Sequence, residues 1–364
     1  MGAMPDLDAG AALLRSVVQR VATGPELSKD ITREEARQAL RLILDGAADP
    51  VQAGVLLIAL RMKRETDDET LGALDAVLET TARVAAEVDE VVDLADAYDG
   101  FTRTLPASPF LPAVLAACGV PTVAHGVRAM GPKFGLTTHQ VLAAGGQPVD
   151  LDPAQAAARL ADPACGWAYV DQCAFNPKLH ALTQLRTRIV KRQVLTTVEV
   201  LAKPVCGRRR THLVTGYVHK PYPRIYALLA RAAGFDSALI VRGVEGGVVP
   251  SLRASGRAYR YEDGGAEAPV DLRADEFGFA QGIYPPQPPG AGADTPFDAE
   301  AACAQTREQG LAALRGEPGP MRDNLIGAAA TVLWHVRRYD TLRAAADAVR
   351  AVLDDGRAHA HFGR

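Results

Sequence analysis

The chain has 364 residues and a formal net charge of −3; 48% of its residues are hydrophobic and only 5% are aromatic. This length is enough for two domains, or for one large α/β domain with a smaller satellite. No apolar run reaches the roughly 18 residues of a membrane span, and Met1–Gly10 lacks the basic and apolar regions of a secretory signal. We therefore expect a cytoplasmic protein with an ample core and no membrane partner.

The first predicted elements are three short helices. Thr32–Glu35 and Thr66–Glu69 are capping boxes, in which the threonine hydroxyl accepts a backbone N–H and the glutamate reaches back. Between them, Asp49-Pro50 supplies an N-cap and a first-turn proline for a helix that continues to Met62. Short connections between these helices predict a small helical bundle.

The rest of the chain alternates strand and helix patterns. Val120–Ala124 and Ala238–Val241 are apolar runs typical of strands, and Tyr222–Ala233 has the pattern of a helix that ends at Gly234. Strands separated by helices indicate a mainly parallel sheet covered on both faces. The predicted fold class is therefore α/β, with a small all-helical N-terminal domain and a larger α/β domain.

The C-terminal part begins with a loop and ends with helices. Tyr284–Pro296 is rich in proline and glycine, which predicts a surface loop. Leu325–Val336 and Thr341–Asp354 have helical patterns.

The five cysteines show neither a C-x-x-C pair nor the Cys/His spacing of a metal site. An odd, scattered set predicts reduced thiols rather than disulfides. They are Cys118, Cys165, Cys173, Cys206 and Cys303.

Positive charge is concentrated in residues 176–224. This window holds eleven lysines and arginines but one acid, Glu199, so its charge is +10 and that of the remaining chain is −13. Such an excess points to a polyanionic partner. The alternative is that the side chains disperse over several surfaces and pair with acids from elsewhere in the chain. The basic residues are Lys178, Arg186, Arg188, Lys191, Arg192, Lys203, Arg208, Arg209, Arg210, Lys220 and Arg224.

The motif order resembles that of the anthranilate phosphoribosyltransferase family, which has the nucleoside phosphorylase-type phosphoribosyltransferase fold. Pro50–Thr66 is similar to the helical motif of that family, and Gly316–Asp323 matches its G-x-x-G-x-x-R-D pattern. The resemblance implies a helical domain over residues 1–88 with a helical return segment at about 165–193. It assigns residues 89–164 and 194–364 to the α/β domain, and it implies a homodimer formed through the helical domain.

The diphosphate-binding loop departs from the family pattern. The family has G-T-G-G-D-G where this chain has Ala95–Gly100, so alanine and tyrosine replace three glycines. A phosphate cradle needs backbone N–H groups that approach an anion without Cβ atoms in the way. Tyr98 inside such a cradle is hard to reconcile with a bound diphosphate.

The metal motif also departs from the family pattern. The family carries an Asp-Glu pair for Mg²⁺ after a strand similar to Ile240–Gly243, and the aligned residues here are Val248 and Val249. Mg²⁺ requires oxygen ligands, which valine does not have. We therefore expect no cofactor and no metal site, with Mg²⁺ retained only if the family reaction is.

The resemblance nevertheless outlines a ligand pocket, in which Arg186 is placed to bind a carboxylate through two hydrogen bonds. No catalytic residue is assigned. The pocket candidates are Asp99, Gly100, Thr102, Arg103, Ser108, His125, Gly126, Arg128, Lys133 and Arg186.

The basic residues form two groups, one at helical spacing after Arg186 and one around Arg208–Arg210. Basic residues with interspersed aromatics suit a nucleic-acid backbone. A diverged branch of the family, which also lacks the glycine loop and the metal pair, binds nucleic acid as a dimer. The polyanion-binding candidates are Arg188, Lys191, Arg192, Lys203, Arg208, Arg209, Arg210, His219 and Lys220.

Three functions remain open from the sequence. The first is a phosphoribosyltransferase fold that has lost the family reaction and binds nucleic acid in a basic cleft. The second is a glycosyl or phosphoribosyl transferase that acts on a different phosphorylated donor, with Arg103 and Lys133 replacing the charge of the metal. The third is authentic anthranilate phosphoribosyltransferase activity.

Overall fold

The computed structural model describes residues 9–24, 26–288 and 297–364. Its helices are α1 (Ala9–Val21), α2 (Arg33–Leu44), α3 (Pro50–Lys63), α4 (Asp67–Glu79), α5 (Leu111–Ala117), α6 (Thr138–Ala144), α7 (Pro153–Ala161), α8 (Gln172–Phe175), α9 (Pro177–Ala181), α10 (Thr183–Ile189), α11 (Val194–Val198), α12 (Tyr222–Ala232), α13 (Ala299–Leu314), α14 (Pro320–His335), α15 (Leu342–Asp354) and α16 (Arg357–Phe362). Its strands are β1 (Val84–Ala85), β2 (Glu90–Ala95), β3 (Thr122–Gly126), β4 (Trp167–Asp171), β5 (Val205–Cys206), β6 (Arg210–Gly216), β7 (Ser237–Val241), β8 (Gly256–Glu262) and β9 (Ala268–Leu272).

A seven-stranded sheet in the order β4-β3-β2-β6-β7-β8-β9 forms the centre of the larger domain. The first five strands are parallel, and β8 and β9 extend the sheet in antiparallel fashion. In register, Leu94 of β2 lies between Ala124 of β3 and Val214 of β6. The parallel strands therefore all end on the same side of the sheet, and in open α/β sheets ligands bind just outside these C-terminal ends. We call this side the C-terminal edge and the space outside it the cleft. The predicted fold class is confirmed.

The N-terminal helices form as their caps predict. Thr32 and Thr66 both make complete capping boxes, and Asp49 caps α3 through the N–H groups of Val51 and Gln52. Their apolar faces bury side chains such as Leu57.

A return segment joins this bundle from later in the chain. α10 packs against α3, and α11 packs against α3 and α4. The segment begins after β4, because residues 167–171 pair with β3 in the large sheet. The precise domain boundaries stay a prediction.

The other predicted elements lie close to their observed positions. β3 extends past Ala124 to Gly126, because hydrogen bonds to β2 and β4 continue the strand on both sides. α12 ends at Ala232, shortly before Gly234, and α14 begins before the predicted Leu325. The N-terminal proline turn at Pro320 accounts for the earlier start.

Some sequence predictions concern residues that are only partly described. Of Tyr284–Pro296, residues 289–296 lie outside the described residues, and so do residues 1–8 of the segment tested for a secretory signal. All five cysteines are free thiols. No helix within the described ranges has the length and apolar character needed to cross a bilayer.

Candidate functional site

The loop after β2 is folded against the loop after β3. Gly100 has a φ of +73°, and a Cβ atom there would lie 2.5 Å from the carbonyl carbon of Gly135. Phe101 and Leu136 exchange backbone hydrogen bonds of 2.9 and 2.7 Å just beyond this contact. Glycine is thus required at position 100 by backbone conformation and by close approach. The contact joins the two loops into one wall of the cleft at the sheet edge.

Tyr98 points away from this wall. Its buried ring belongs to the apolar core shared with the helical domain, and its hydroxyl hydrogen-bonds to Nδ1 of His125. Nε2 of His125 lies 2.8 Å from Oδ1 of Asp93. Because the carboxylate accepts from Nε2, a neutral ring leaves Nδ1 to accept from the tyrosine. The tyrosine therefore anchors the loop from behind, and its ring is not an obstacle inside the cradle.

Asp96 is largely buried at the base of the loop. It accepts hydrogen bonds from the Ser108 hydroxyl and, at 3.1 Å, from the backbone N–H of Val248. Burial raises the pKa of its carboxyl despite these two donors. Ser108 is therefore committed to Asp96, and Asp96 ties the loop after β2 to the loop after β7 through the N–H of Val248.

Glu245 joins the loop after β7 to the loop after β2. Its carboxylate accepts from the backbone N–H groups of Thr102 and Arg103 at 3.2 and 2.9 Å, and from the Thr104 hydroxyl at 2.9 Å. Lys133 Nζ is 3.4 Å away. Burial alone raises the pKa of Glu245, but Lys133 and these donors outweigh it and hold the pKa below its ordinary value.

Asp99 connects the cleft to the helical domain. Arg192, which follows α10, donates to Asp99 Oδ2 from Nη2 and from Nε, the latter at 3.1 Å. Lys133 Nζ lies 3.9 Å from Asp99 Oδ1. Three cations, Arg103, Lys133 and Arg192, thus surround two carboxylates at the mouth of the cleft.

The carboxylates in the cleft do not fit a protein-held Mg²⁺ ion. Val248 and Val249 are buried and offer no oxygen. The carboxylates of Asp96, Asp99 and Glu245 are all engaged by donors of the protein itself. Among the residues that the structure describes, no group of three or more His, Cys, Asp or Glu is arranged to hold a metal.

Arg186 pairs with an acid inside the protein. It is buried, and both of its terminal nitrogens bind the buried carboxylate of Glu199 at 2.6 and 2.7 Å. Arg186 belongs to α10 of the return segment, and Glu199 directly follows α11. The predicted pocket residues His125 and Gly126 are also buried, so the cleft surface is formed mainly by Thr102, Arg103, Arg128 and Lys133.

The nine polyanion-binding candidates lie in two groups, one at the N-terminal and one at the C-terminal ends of the parallel strands. Arg208–Arg210 precede β6 or open it, whereas His219 and Lys220 follow its C-terminal end. Seven residues of strand span roughly 23 Å. Arg208 and Arg209 pair with Asp89, and Arg210 pairs with Asp263.

Lys203 is also turned away from the cleft. Its ammonium donates to the carbonyl of Gly234 and lies 4.9 Å from the ring centroid of Phe235. Burial lowers the pKa of this lysine. Like Arg208–Arg210, it is engaged in structural contacts away from the cleft.

The remaining cations are exposed at the cleft edge. Within the described ranges, Arg128, Arg188, Lys191 and Lys220 make no ion pair with an acid. The loop after β3 approaches the return segment, since a Cβ atom on Gly131 would lie 3.7 Å from Thr187 Cα. Arg128 and Lys133 are thereby brought towards Arg188, Lys191 and Arg192.

Sequence reasoning missed the Asp99–Arg192 pair and the position of the Glu245 carboxylate. The first joins residues 93 positions apart, so no local pattern reveals it. The second had one signal, an acidic residue in the glycine-rich segment Gly243–Gly247. Such a segment permits a tight turn that brings the carboxylate onto a neighbouring loop.

Known proteins share both domains. Residues 15–81 match the glycosyl transferase family, helical bundle domain, and residues 100–359 match the glycosyl transferase family, a/b domain. An anthranilate phosphoribosyltransferase of Methylocella silvestris is 29% identical over 95% of this chain and 92% of its own length. An uncharacterized protein of Aquifex aeolicus is 29% identical over 61% of this chain and 65% of its own length.

Solved structures share the fold. The anthranilate phosphoribosyltransferase of Saccharomyces cerevisiae in complex with PRPP and Mg has a TM-score of 0.76 at 15% identity, covering 97% of this chain and 96% of that chain. The enzyme of Thermus thermophilus has a TM-score of 0.72 at 20% identity and covers 97% of both chains.

Proposed function

The chain belongs to the glycosyl transferase family that combines a helical bundle domain with an α/β domain, and we propose that it binds a phosphorylated sugar donor in the cleft and transfers the sugar to an acceptor. The observation that carries this proposal is the convergence of Lys133, Arg103 and Arg192 at the C-terminal edge of the sheet. Phosphoribosyl pyrophosphate is the first donor to test, and anthranilate the first acceptor, because both occur in the names of relatives.

The three cations supply the charge that such a transfer needs. As the bond between the sugar and the leaving phosphate breaks, the sugar becomes electron-poor and the phosphate oxygen gains negative charge. Preorganised positive groups beside that oxygen lower the barrier. Lys133 is the central group, since its ammonium lies between Asp99 and Glu245. In this chain, lysine and arginine take the part that carboxylate-held Mg²⁺ would otherwise play.

Donor binding is tested by the melting temperature and transfer by the loss of anthranilate fluorescence. We expect millimolar phosphoribosyl pyrophosphate to raise the melting temperature, because a ligand that binds only the folded state stabilises it. Lys133→Ala should abolish this shift and lower kcat/KM by about 100-fold or more. Arg208→Ala at the opposite sheet edge is the matched control. An unchanged melting temperature of the native chain, with and without Mg²⁺, would contradict the proposal.

Nucleic-acid binding is the second candidate function, and a specific surface favours it. Phe134 is 48% exposed and packs near Gly131, where the loop after β3 approaches Thr187 of α10. The exposed cations Arg128, Arg188 and Lys191 belong to these two neighbouring segments. Unpaired cations contact phosphates, and an exposed aromatic ring stacks on bases.

Fluorescence anisotropy of a labelled single-stranded oligonucleotide tests this candidate. The triple variant R128A/R188A/K191A should lose binding, whereas R208A/R209A/R210A should retain it. The logarithm of the affinity should also fall linearly with the logarithm of the salt concentration. Equal effects of the two triple variants would reject this surface.

We further propose that the chain is a homodimer through α3. Val51, Val55 and Met62 form an apolar stripe along this helix, and Val51 and Met62 are 73% and 76% exposed. Spacings of four and seven residues place these side chains on one helix face. A second copy of this chain would cover the stripe, so Val55→Lys should convert a dimer into a monomer in light scattering.

A further inference from the structure

Four donors converge on the Glu245 carboxylate as they would on a bound oxyanion. Two are consecutive backbone N–H groups, those of Thr102 and Arg103; the others are the Thr104 hydroxyl and the Lys133 ammonium. Successive N–H groups that point into one concavity form an anion-binding nest. The Glu245 side chain is only 3% exposed, so it fills the nest completely.

The backbone around Glu245 is strained in order to place the carboxylate there. Glu245 has a φ of +50° and a ψ of +19°, a left-handed conformation that is unfavourable for a residue with a Cβ atom. Gly246 follows with a φ of +87°. Held in this conformation between Val244 and Gly246, the Glu245 side chain bends back onto the nest.

The two backbone amides of the nest have no other acceptor among the described residues. The neighbouring amides are paired elsewhere, Phe101 with Leu136 and Leu105 with Pro286. For Thr102 and Arg103, the acceptor is the Glu245 side chain alone. The chain thus meets these two amides with an anion of its own, the Glu245 carboxylate.

We propose that the nest of Thr102, Arg103, Thr104 and Lys133 is a phosphate-binding site and that Glu245 is an internal anion which the ligand displaces. This inference rests on the proposed function insofar as the ligand carries a phosphate group. A phosphate group offers more charge and more acceptor oxygens than a carboxylate to the same donors. Arg103, whose side chain is 80% exposed and whose Nε lies 3.8 Å from Glu245, can close over it.

The internal anion lowers the apparent affinity for phosphate, because only molecules in which Glu245 has left the nest can bind it. Removing the carboxylate should therefore tighten binding. A purely structural glutamate would behave in the opposite way, since its loss would loosen residues 102–104 and weaken binding.

The test is calorimetric titration of inorganic pyrophosphate into the full chain. Glu245→Gln should bind pyrophosphate at least about tenfold more tightly than the native chain. The matched control is Glu317→Gln, which removes one negative charge from an exposed pair with Arg315 and should leave the affinity unchanged. Equal or weaker binding by Glu245→Gln would overturn the inference.

Two further variants keep the result interpretable. Glu245→Gly removes the carboxylate and also relieves the left-handed strain, so it should fold and show the same gain. Adding Lys133→Ala to Glu245→Gln should abolish the gain. If no Glu245 variant binds pyrophosphate, the nest is not a phosphate site and the inference fails.

Separate titrations distinguish whether the phosphate group belongs to a sugar donor or to a nucleic acid. Glu245→Gln is titrated with phosphoribosyl pyrophosphate and, in parallel, with a single-stranded oligonucleotide. A gain with pyrophosphate and the oligonucleotide but not with phosphoribosyl pyrophosphate would reject the sugar donor while the phosphate site stands. A gain with pyrophosphate and phosphoribosyl pyrophosphate would support both proposals.

Discussion

Arg192 and Asp99 join the two domains at the mouth of the cleft. The guanidinium belongs to the return segment of the helical domain, and it donates from two nitrogens to one carboxylate oxygen in the loop after β2. Asp99 is nearly buried, whereas half of the Arg192 side chain is exposed. This pair fixes the position of the cleft wall relative to the helical domain.

Replacing Arg192 with alanine should lower the free energy of unfolding by about 1–2 kcal/mol, because Asp99 is then left partly unsatisfied. Urea denaturation measures the change. Arg257→Ala, which removes an exposed pair with Asp271, is the control and should cost less than about 1 kcal/mol. Equal losses in the two variants would show that the Asp99–Arg192 pair stabilises the fold no more than an exposed ion pair does.

The buried pair of Arg186 and Glu199 should matter more for stability than for binding. Removing one member of a buried pair leaves an uncompensated charge and costs about 3–5 kcal/mol. We expect Arg186→Met to show such a loss in urea denaturation. Arg224→Ala breaks an exposed pair with Asp67 and should cost about 1 kcal/mol or less.

A role of Arg186 in ligand binding would give a different result. If Arg186→Met kept its stability but lost affinity for anthranilate, the buried pair would be a binding element. Both variants are therefore compared by denaturation and by titration.

The features that the sequence predicts well are local. The capping boxes of Thr32 and Thr66 form as expected because each depends on residues three positions apart. The alternation of apolar strands and amphipathic helices likewise predicts the parallel sheet, since each element must bury its own apolar face.

The features that the sequence does not predict depend on long-range geometry. The basic window spans β6, so Arg208 and Lys220 lie at opposite edges although they are close in sequence. The direction of Tyr98 depends on how the chain leaves β2, where the alternation of a strand no longer applies. Sequence spacing alone therefore placed the tyrosine in the cradle, while its ring packs beneath the helical domain.

A pair of buried histidines should make stability depend on pH. Ser237 Oγ lies 2.9 Å from Nε2 of His335 and 2.8 Å from Nδ1 of His212. Burial lowers the pKa of both, and for His335 it lies well below the ordinary value of 6.5. Arg260 and His212 lower the pKa of His335 further.

The sign of the effect follows from proton binding. Below about pH 6.5 the unfolded chain protonates these histidines while the folded chain does not, so the free energy of unfolding falls as the pH falls. Each histidine contributes at most about 1.4 kcal/mol per pH unit. Denaturation at pH 7.5 and 5.5 should show a smaller difference for His335→Gln than for the native chain. His219→Gln, an exposed control, should keep the native difference.

Tyr98→Phe tests whether the loop after β2 is anchored from behind. The substitution keeps the buried ring but leaves Nδ1 of His125 without its donor, so it should cost about 1–3 kcal/mol of stability. Tyr217→Phe is the comparison, because no hydrogen bond of the Tyr217 hydroxyl is found in the described residues; its cost should be close to zero.

The same variant also reports on the cleft. If Tyr98 anchors the loop, Tyr98→Phe should increase the hydrogen exchange of the amides of residues 99–104, which carry the nest, while leaving exchange in α15 unchanged. Local opening of this kind requires only the loss of the contacts that hold the segment. Unchanged exchange at residues 99–104 together with a full loss of stability would mean that Tyr98 supports the domain interface and not the loop.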